Sequence, residues 1–343
     1  MLNLTECVQI ESMPVPGAKR FINRLLLAYC CLIASLMLLP TFGSEVFAQD
    51  EDKVIRVDTE LAEFEVLVED KEGRPVHGLR AEDFRILENG KPQRIDFFQP
   101  VRSGVKTRPM VIVFAVDVSG SMTTAELEKL RTAINGFIDR FGDYESYFAL
   151  LAFAMDVKKI QSFTNRPDTL KRSLAKFDHD QDGRSTHAFD AVDAAIRMID
   201  KNAPRTLQGR SPKRAVILIT DGFPVGDTVA PNTVIERANN AGVSVYSIIL
   251  PSFSPLQRDA RPIMTLVEAS GLVQKTGGSS MVAIDDNYEP LFGSLAAEIT
   301  ASYAVAYYPA ENRAGENPKR NVVIESVKGY KVKQNRASFE LKR

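Results

Sequence analysis

Residues 113–122 read "VFAVDVSGSM": a near-continuous apolar strand that breaks without warning into one acid, two serines and a glycine. A run with so little alternation predicts a strand covered on both faces, as in a parallel sheet. On a straight strand Asp117, Ser119 and Ser121 would share one face. On a loop curling from strand into helix, with Gly120 permitting the tight curl, their oxygens converge on one point. Converging carboxylate and hydroxyl oxygens suit a hard cation such as Mg2+, which takes six oxygens and usually keeps waters. An acid and serines after a strand also suit a plain helix cap, so the stretch alone leaves both readings open.

Working outward, "YFALLAFA" (147–154), "RAVILIT" (214–220) and "VSVYSIIL" (243–250) are further buried strands, and "SMVAI" (280–284) is a short one. Between them the spacing turns helical. Leu127, Leu130, Ile134, Phe137, Ile138 and Phe141 form one stripe over 126–141. Helical patterns recur near 167–176, 186–201, 234–241, 262–276 and 288–302. Strands alternating with helices predict an α/β fold, doubly wound, with a mostly parallel sheet flanked by helices. In such sheets ligands bind outside the carboxyl ends of the strands. Three oxygen-bearing loops fall there: 117–121, 220–222 and 184–186.

The flanks are β in character. Phe64, Val66 and Val68 alternate with Glu63, Glu65 and Glu69, with Leu67 an exception on the outer face. Residues 71–75 make a turn, Phe84 and Ile86 alternate again, and Asn89-Gly90 predicts a hairpin whose return strand runs through Ile95 and Phe97. The tail carries "YAVAYYP", "NVVIESV" and "YKVKQNRASFEL", with Lys328-Gly329 as a turn. So few strands can hardly bury a core alone, so the two flanks are expected to pack into one β-sandwich around or beside the α/β domain.

The N-terminus reads as a leader. Lys19, Arg20 and Arg24 precede the mainly apolar run 25–39, followed by Val46-Phe47-Ala48, which predicts cleavage after Ala48 and export to the periplasm, cell surface or medium. The alternative is an uncleaved membrane anchor, for which the run is short. Cys7, Cys30 and Cys31 all lie in it, so the cleaved chain has no disulfide, thiol nucleophile or cysteine zinc site. A formal net charge of -1, without a Lys/Arg run, gives no sign of a nucleic-acid partner, and none is expected. The expected organisation is a leader at 1–48, a β segment at 49–105, the α/β domain at 106–302 and a β extension at 303–343.

Taken together, "VFAVDVSGSM", "RSTHAFDAV" and "VILITDG", in this order, resemble the von Willebrand factor type A domain with its metal-ion-dependent adhesion site. The resemblance covers roughly 108–302. It implies that Asp117, Ser119, Ser121, Thr186 and Asp221 hold a divalent cation, with Mg2+ first and Mn2+ or Ca2+ as alternatives. It further implies that Ser119 and Ser121 bind directly, Thr186 in some states, and Asp117 and Asp221 directly or through water. An Asp or Glu carboxylate from a protein partner would complete the site, and the final helix, 288–302, would shift when it is filled. Arg184-Ser185 departs from the small residues commoner before the threonine. The layout, with "GLRAEDF…ENGKPQ" before the domain and "YAVAYYP" after it, also resembles a group of exported bacterial proteins.

Other readings compete. Asp178, Asp180, Asp182 and Gly183 open like an EF-hand loop, but Phe189 stands where a bidentate glutamate is needed, so they are read as a solvated acidic loop. Asp190 is read as a structural acid, and His77, His179 and His187 as exposed loop histidines. A metal-dependent hydrolase or phosphoryl-transfer enzyme would use Asp117 at the strand end, yet Ser119 sits where a second acid is usual and Gly120-Ser121-Met122 does not match a serine elbow. A purely structural envelope scaffold is the third reading. The expectation is a binding protein and not an enzyme.

Overall fold

The structure, a computed structural model, describes residues 61–100, 102–103, 106–120, 123–141, 146–176, 186–207, 209–220, 224–250, 264–310 and 317–341. The leader, Ser121, Asp221 and the acids Asp178, Asp180 and Asp182 lie outside the described residues. The described residues fall within one unit, Asp58–Arg343.

In chain order the first strands are β1 (Ala62–Glu69), β2 (Phe84–Glu88), β3 (Lys91–Gln93) and β4 (Phe97–Pro100), then a small ribbon of β5 (Arg102–Ser103) and β6 (Lys106–Thr107). The α/β part follows: β7 (Met110–Asp117), α1 (Thr124–Arg140), β8 (Tyr147–Phe153), β9 (Val157–Thr164), α2 (Pro167–Leu174), α3 (Ala188–Asn202), β10 (Lys213–Thr220), α4 (Pro231–Ala241), β11 (Val243–Ile249), α5 (Leu266–Ala269), α6 (Leu272–Lys275), β12 (Ser280–Val282) and α7 (Glu289–Ala301). The chain closes with β13 (Tyr303–Tyr307), β14 (Lys319–Ser326), β15 (Lys331–Gln334) and β16 (Ser338–Glu340).

The central sheet has six strands in the order β12-β11-β10-β7-β8-β9. All pairs are parallel except β8–β9. Every residue of β7 is buried, because both faces are covered. Ile112, Phe114 and Val116 pack on one side with Phe137 of α1 and Phe292 of α7. Val111, Val113 and Ala115 pack on the other with Val192 of α3 and Val234 of α4. This is the doubly wound α/β architecture expected. The antiparallel edge strand β9 is an addition, half-buried and without clean alternation. The helix expected over 262–276 is two short pieces, interrupted where Gly271 takes a left-handed φ of 70°.

The flanking segments form two four-stranded sheets, β15-β1-β13-β4 and β16-β14-β2-β3. They share one core that includes Phe64, Val66, Ile86, Tyr303, Tyr307, Ile324 and Phe339. Asn89-Gly90 does make the β2–β3 hairpin, with φ of 47° and 80°. Two expectations change. The return strand stops at Gln93, and Phe97 belongs instead to β4, which pairs with β13 in the opposite sheet. Likewise "YKVKQNRASFEL" divides into β15 and β16, one in each sheet.

Leu67 is no exception on a wet face. Glu65, Leu67 and Glu69 are all buried, because the outer face of β1 abuts the α/β domain. At that junction Arg108 bonds Glu65 and Glu63, each at 2.5 Å, and Lys213 reaches Glu65 at 3.4 Å and Ser302 Oγ at 2.8 Å. Arg108 and Lys213 precede and open the strands β7 and β10. The sandwich therefore occupies the amino end of the parallel strands, and their carboxyl ends point away from it.

Candidate metal centre

Asp117 is the last residue of β7 and has no exposed surface. One carboxylate oxygen accepts the backbone N–H of Ser119 at 2.9 Å, and the other accepts the hydroxyl of Thr220, the last residue of β10, at 2.9 Å. The carboxylate is thus held across two adjacent strands by a local turn and a side chain from 103 residues further on. Thr220 is also fully buried. Its role was not assigned from the sequence, where a threonine ending a strand looks like an ordinary β-former.

Backbone bonds then tie the neighbouring loops together. Val118 N–H donates to Phe153 O at 2.9 Å, which locks the turn after β7 to the end of β8. His187 N–H donates to Ala154 O at 3.0 Å, which brings Thr186 to the end of β8. Val225 N–H donates to Thr186 O at 2.9 Å, so the segment after β10 closes on the same point. Ser119 and Thr186 are buried, at 2% and 7% exposure, so both hydroxyls belong to the interior of this rim and not to a solvated turn. Of the five expected ligands, Asp117, Ser119 and Thr186 lie on these connected loops, while Ser121 and Asp221 lie outside the described residues.

Asp190 acts within the framework. Its carboxylate accepts from Thr228 N–H and Oγ–H and from Val229 N–H at 2.8 Å, and its own N–H donates to Asp227 Oδ1 at 2.9 Å. This pins the 227–229 loop to the first turn of α3, as expected of a structural acid. Burial raises the Asp227 carboxyl, and the Asp190 charge adds to that rise against the hydrogen bond from Asp190 N–H. His187 is not an exposed loop residue. It precedes α3, is largely buried, and lies 3.4 Å from Asp190 through Nδ1. His77 is exposed, and His179 lies outside the described residues.

The helix after the motif starts on a capping box. Thr123 Oγ accepts from Glu126 N–H at 3.2 Å, and Glu126 accepts from Thr123 N–H at 2.7 Å. The cap of α1 is therefore supplied by Thr123 and Glu126 and not by Asp117, whose carboxylate bonds Ser119 N–H and the Thr220 hydroxyl. Among the described residues, no group of three or more His, Cys, Asp or Glu could hold a metal ion. One buried carboxylate with neighbouring hydroxyls is the donor chemistry of a hard cation. The described donors fit such an ion. Among the described residues no helix is long and apolar enough to cross a membrane.

Residues 112–268 match the family model of the von Willebrand factor type A domain. The mouse inter-alpha-trypsin inhibitor heavy chain H3 is 30% identical over 152 residues, covering 43% of this chain and 16% of that protein. Mouse integrin alpha-M is 24% identical over 182 residues, covering 52% of this chain and 15% of that one. The chain thus spans less than a fifth of the length of either relative. A solved structure of an aerotolerance-related membrane protein from Bacteroides fragilis superposes with a TM-score of 0.43 at 18% identity, covering 55% of this chain and 98% of that one.

Proposed function

We propose that this is an exported, metal-dependent protein-binding protein that serves adhesion or assembly. One divalent cation, Mg2+ with Mn2+ or Ca2+ as alternatives, is held by Asp117, Ser119, Ser121, Thr186 and Asp221, and an Asp or Glu carboxylate of a protein partner completes its coordination. The observation that carries this reading is the chain of backbone bonds linking 117–119, the end of β8, Thr186 and Val225 into one oxygen-bearing rim at the carboxyl end of the sheet. The match of 112–268 to a von Willebrand factor type A domain supports it, as do relatives that include an integrin alpha chain. When bound, the cation supplies an electrophile for an incoming carboxylate, and a charge-assisted contact of that kind is strong and directional.

The protein's own part is positional. Thr220 and Ser119 orient the Asp117 carboxylate, and Asp190 fixes the segment beside Thr186. Export rests on the leader read at 1–48, and membrane attachment arises only if that segment is retained. The test is calorimetric titration of the purified protein with Mg2+ and Mn2+ beside Asp117→Ala. Wild type binds with one site and the variant does not. Equal binding by both, or none by wild type, refutes the cation. A pull-down with and without EDTA then searches for the partner; the enzyme reading instead requires turnover that is lost in Asp117→Ala, and the binding reading requires cation-dependent association without turnover.

A further inference from the structure

The two outer faces of the sandwich meet different surroundings. In the sheet β15-β1-β13-β4 the outer positions Glu65, Leu67 and Glu69 are buried against the α/β domain. In the sheet β16-β14-β2-β3, Phe84, Ile86, Val322 and Ile324 enter the shared core, so alternation turns Arg85, Leu87, Val323 and Glu325 outward. Arg85, Val323 and Glu325 are exposed, and Leu87 is half-buried. A lone exposed valine is ordinary, but the wet face of an antiparallel sheet is otherwise polar. Here Val323, 51% exposed, stands opposite Leu87, and Leu87 stands opposite the exposed Pro92 of β3. They make one apolar row across three strands.

The charges beside the row decide what can cover it. Arg85 and Glu325 are direct cross-strand partners, and so are Lys319 and Glu340, yet neither couple closes as an ion pair among the described residues. At the margins Lys328 is held by Asp83 and Arg94 by Asp96, and Lys91 is exposed at the hairpin edge. The open couples cancel in sign, so the face selects neither a polyanion nor a polycation. It does complement itself. A two-fold axis in the contact plane, parallel to the strands and between β2 and β14, sets β2 of each copy over β14 of the other. Arg85 and Glu325 share one register position, and Leu87 and Val323 share another. The same operation therefore brings each Arg85 to the other copy's Glu325, and each Leu87 to the other copy's Val323.

We propose that the outer face of β14 and β2 is a self-association surface, on which two copies of the chain pack back to back as a two-fold dimer. Four strands make a face roughly 20 Å wide, and two such faces bury on the order of 1,000 Å2, the low end for a specific contact. The dimer therefore forms at micromolar concentration. The test is sedimentation equilibrium of the purified protein between roughly 1 and 500 μM, in Mg2+ and in EDTA. A monomer–dimer equilibrium is expected in both, because the face belongs to the sandwich and not to the candidate metal centre. Arg85→Glu and Glu325→Arg each bring like charges together twice across the axis and weaken the dimer about tenfold or more, and the double exchange restores it. Both positions are exposed, so each variant keeps the wild-type melting temperature, which separates a lost contact from a lost fold. A monomer throughout the range, a dimer lost in EDTA, a dimer indifferent to the single reversals, or a double exchange as weak as either single overturns the proposal. None of these outcomes bears on the cation reading.

Discussion

Replacing Arg108 by Met removes the centre of the junction between sandwich and α/β domain. Arg108 is 1% exposed and bonds Glu65, Glu63 and the carbonyl of Ser211. Burial alone would raise the Glu65 carboxyl, but Arg108 and Lys213 together hold it below its ordinary 4.5, so it stays ionised at neutral pH. Without Arg108, Glu65 keeps Lys213 at 3.4 Å, and that lysine is itself pushed below its ordinary value by burial, against the pull of Glu65. Glu63, 26% exposed, can turn to water, so the loss falls mainly on Glu65 and Ser211 O. Removing one partner of a buried ion pair costs about 3–5 kcal/mol, a large share of the ~5–15 kcal/mol of a folded domain.

Because the folded carboxyl is depressed, its stabilisation is full above the unfolded value near 4.5 and is lost as pH falls through the folded value. The gap between wild type and Arg108→Met should therefore narrow below that pH. The assay is urea unfolding at pH 7 and pH 4 followed by circular dichroism, since the chain has no tryptophan. Replacing Arg108, Glu65 and Lys213 together with apolar residues should recover most of the loss. A loss under about 1 kcal/mol for Arg108→Met, or an equal gap at both pH values, would refute the reasoning.

Three further outcomes follow from single contacts. Thr220→Val removes the hydroxyl bonded to the buried Asp117 carboxylate and should destabilise by about 1.5–3 kcal/mol; a thermal melt indistinguishable from wild type would contradict it. Glu298 is raised by burial and only partly relieved by the Ser279 hydroxyl at 2.5 Å, and its Oε1 is buried without a partner, so the ionised form is the disfavoured one. Glu298→Gln should thus be the more stable protein at pH 7, its advantage fading as pH drops toward 4.5 and wild type protonates; a fixed difference across that range would rule this out. Gly277→Ala would put a Cβ 2.4 Å from Asn335 Cα at a φ of +74°, so it should cost at least about 2 kcal/mol, read by chemical unfolding.

What could be read in advance follows from how local the signal was. The apolar run of β7 announced a strand covered on both faces, and the Asn89-Gly90 pair announced its hairpin, because both signals are carried within a few residues. Asp117 and Ser119 made a local pattern that suited a helix cap as well as a cation, and Thr186 joined them only through the resemblance of three separated motifs. Strand β9 did not stand out, since an edge strand half in water has neither a continuous run nor clean alternation. The split of "YKVKQNRASFEL" depends on where Arg336 goes: it donates to Asn239 O at 3.1 Å and Glu63 O at 2.7 Å and lies 4.9 Å from the Phe64 ring. Those partners are far along the chain. Glu65 misled in the same way, because a glutamate alternating with apolar residues predicts water, and its Arg108 is 43 residues distant.

The two ends of the sheet also divide the charges, and the division follows the helices. The crossover helices run opposite to the parallel strands, so their C-termini gather at the amino end and their N-termini at the carboxyl end. At the amino end lie Arg108, Lys213, Arg214 and Arg336, with Arg214 on Ala241 O and Arg336 on Asn239 O at the end of α4. The acids that answer them, Glu63 and Glu65, come from β1 of the sandwich. At the carboxyl end the signs reverse: Glu126 opens α1, Asp190 opens α3, Glu289 opens α7, and Asp117 lies buried between them. The sandwich thus supplies negative charge to the basic end and seals it. At the carboxyl end the described chain answers its acids locally instead: Lys129 pairs with Asp286, Thr228 and Val229 hold Asp190, and the exposed Lys158 and Lys159 open β9 beside the end of β8.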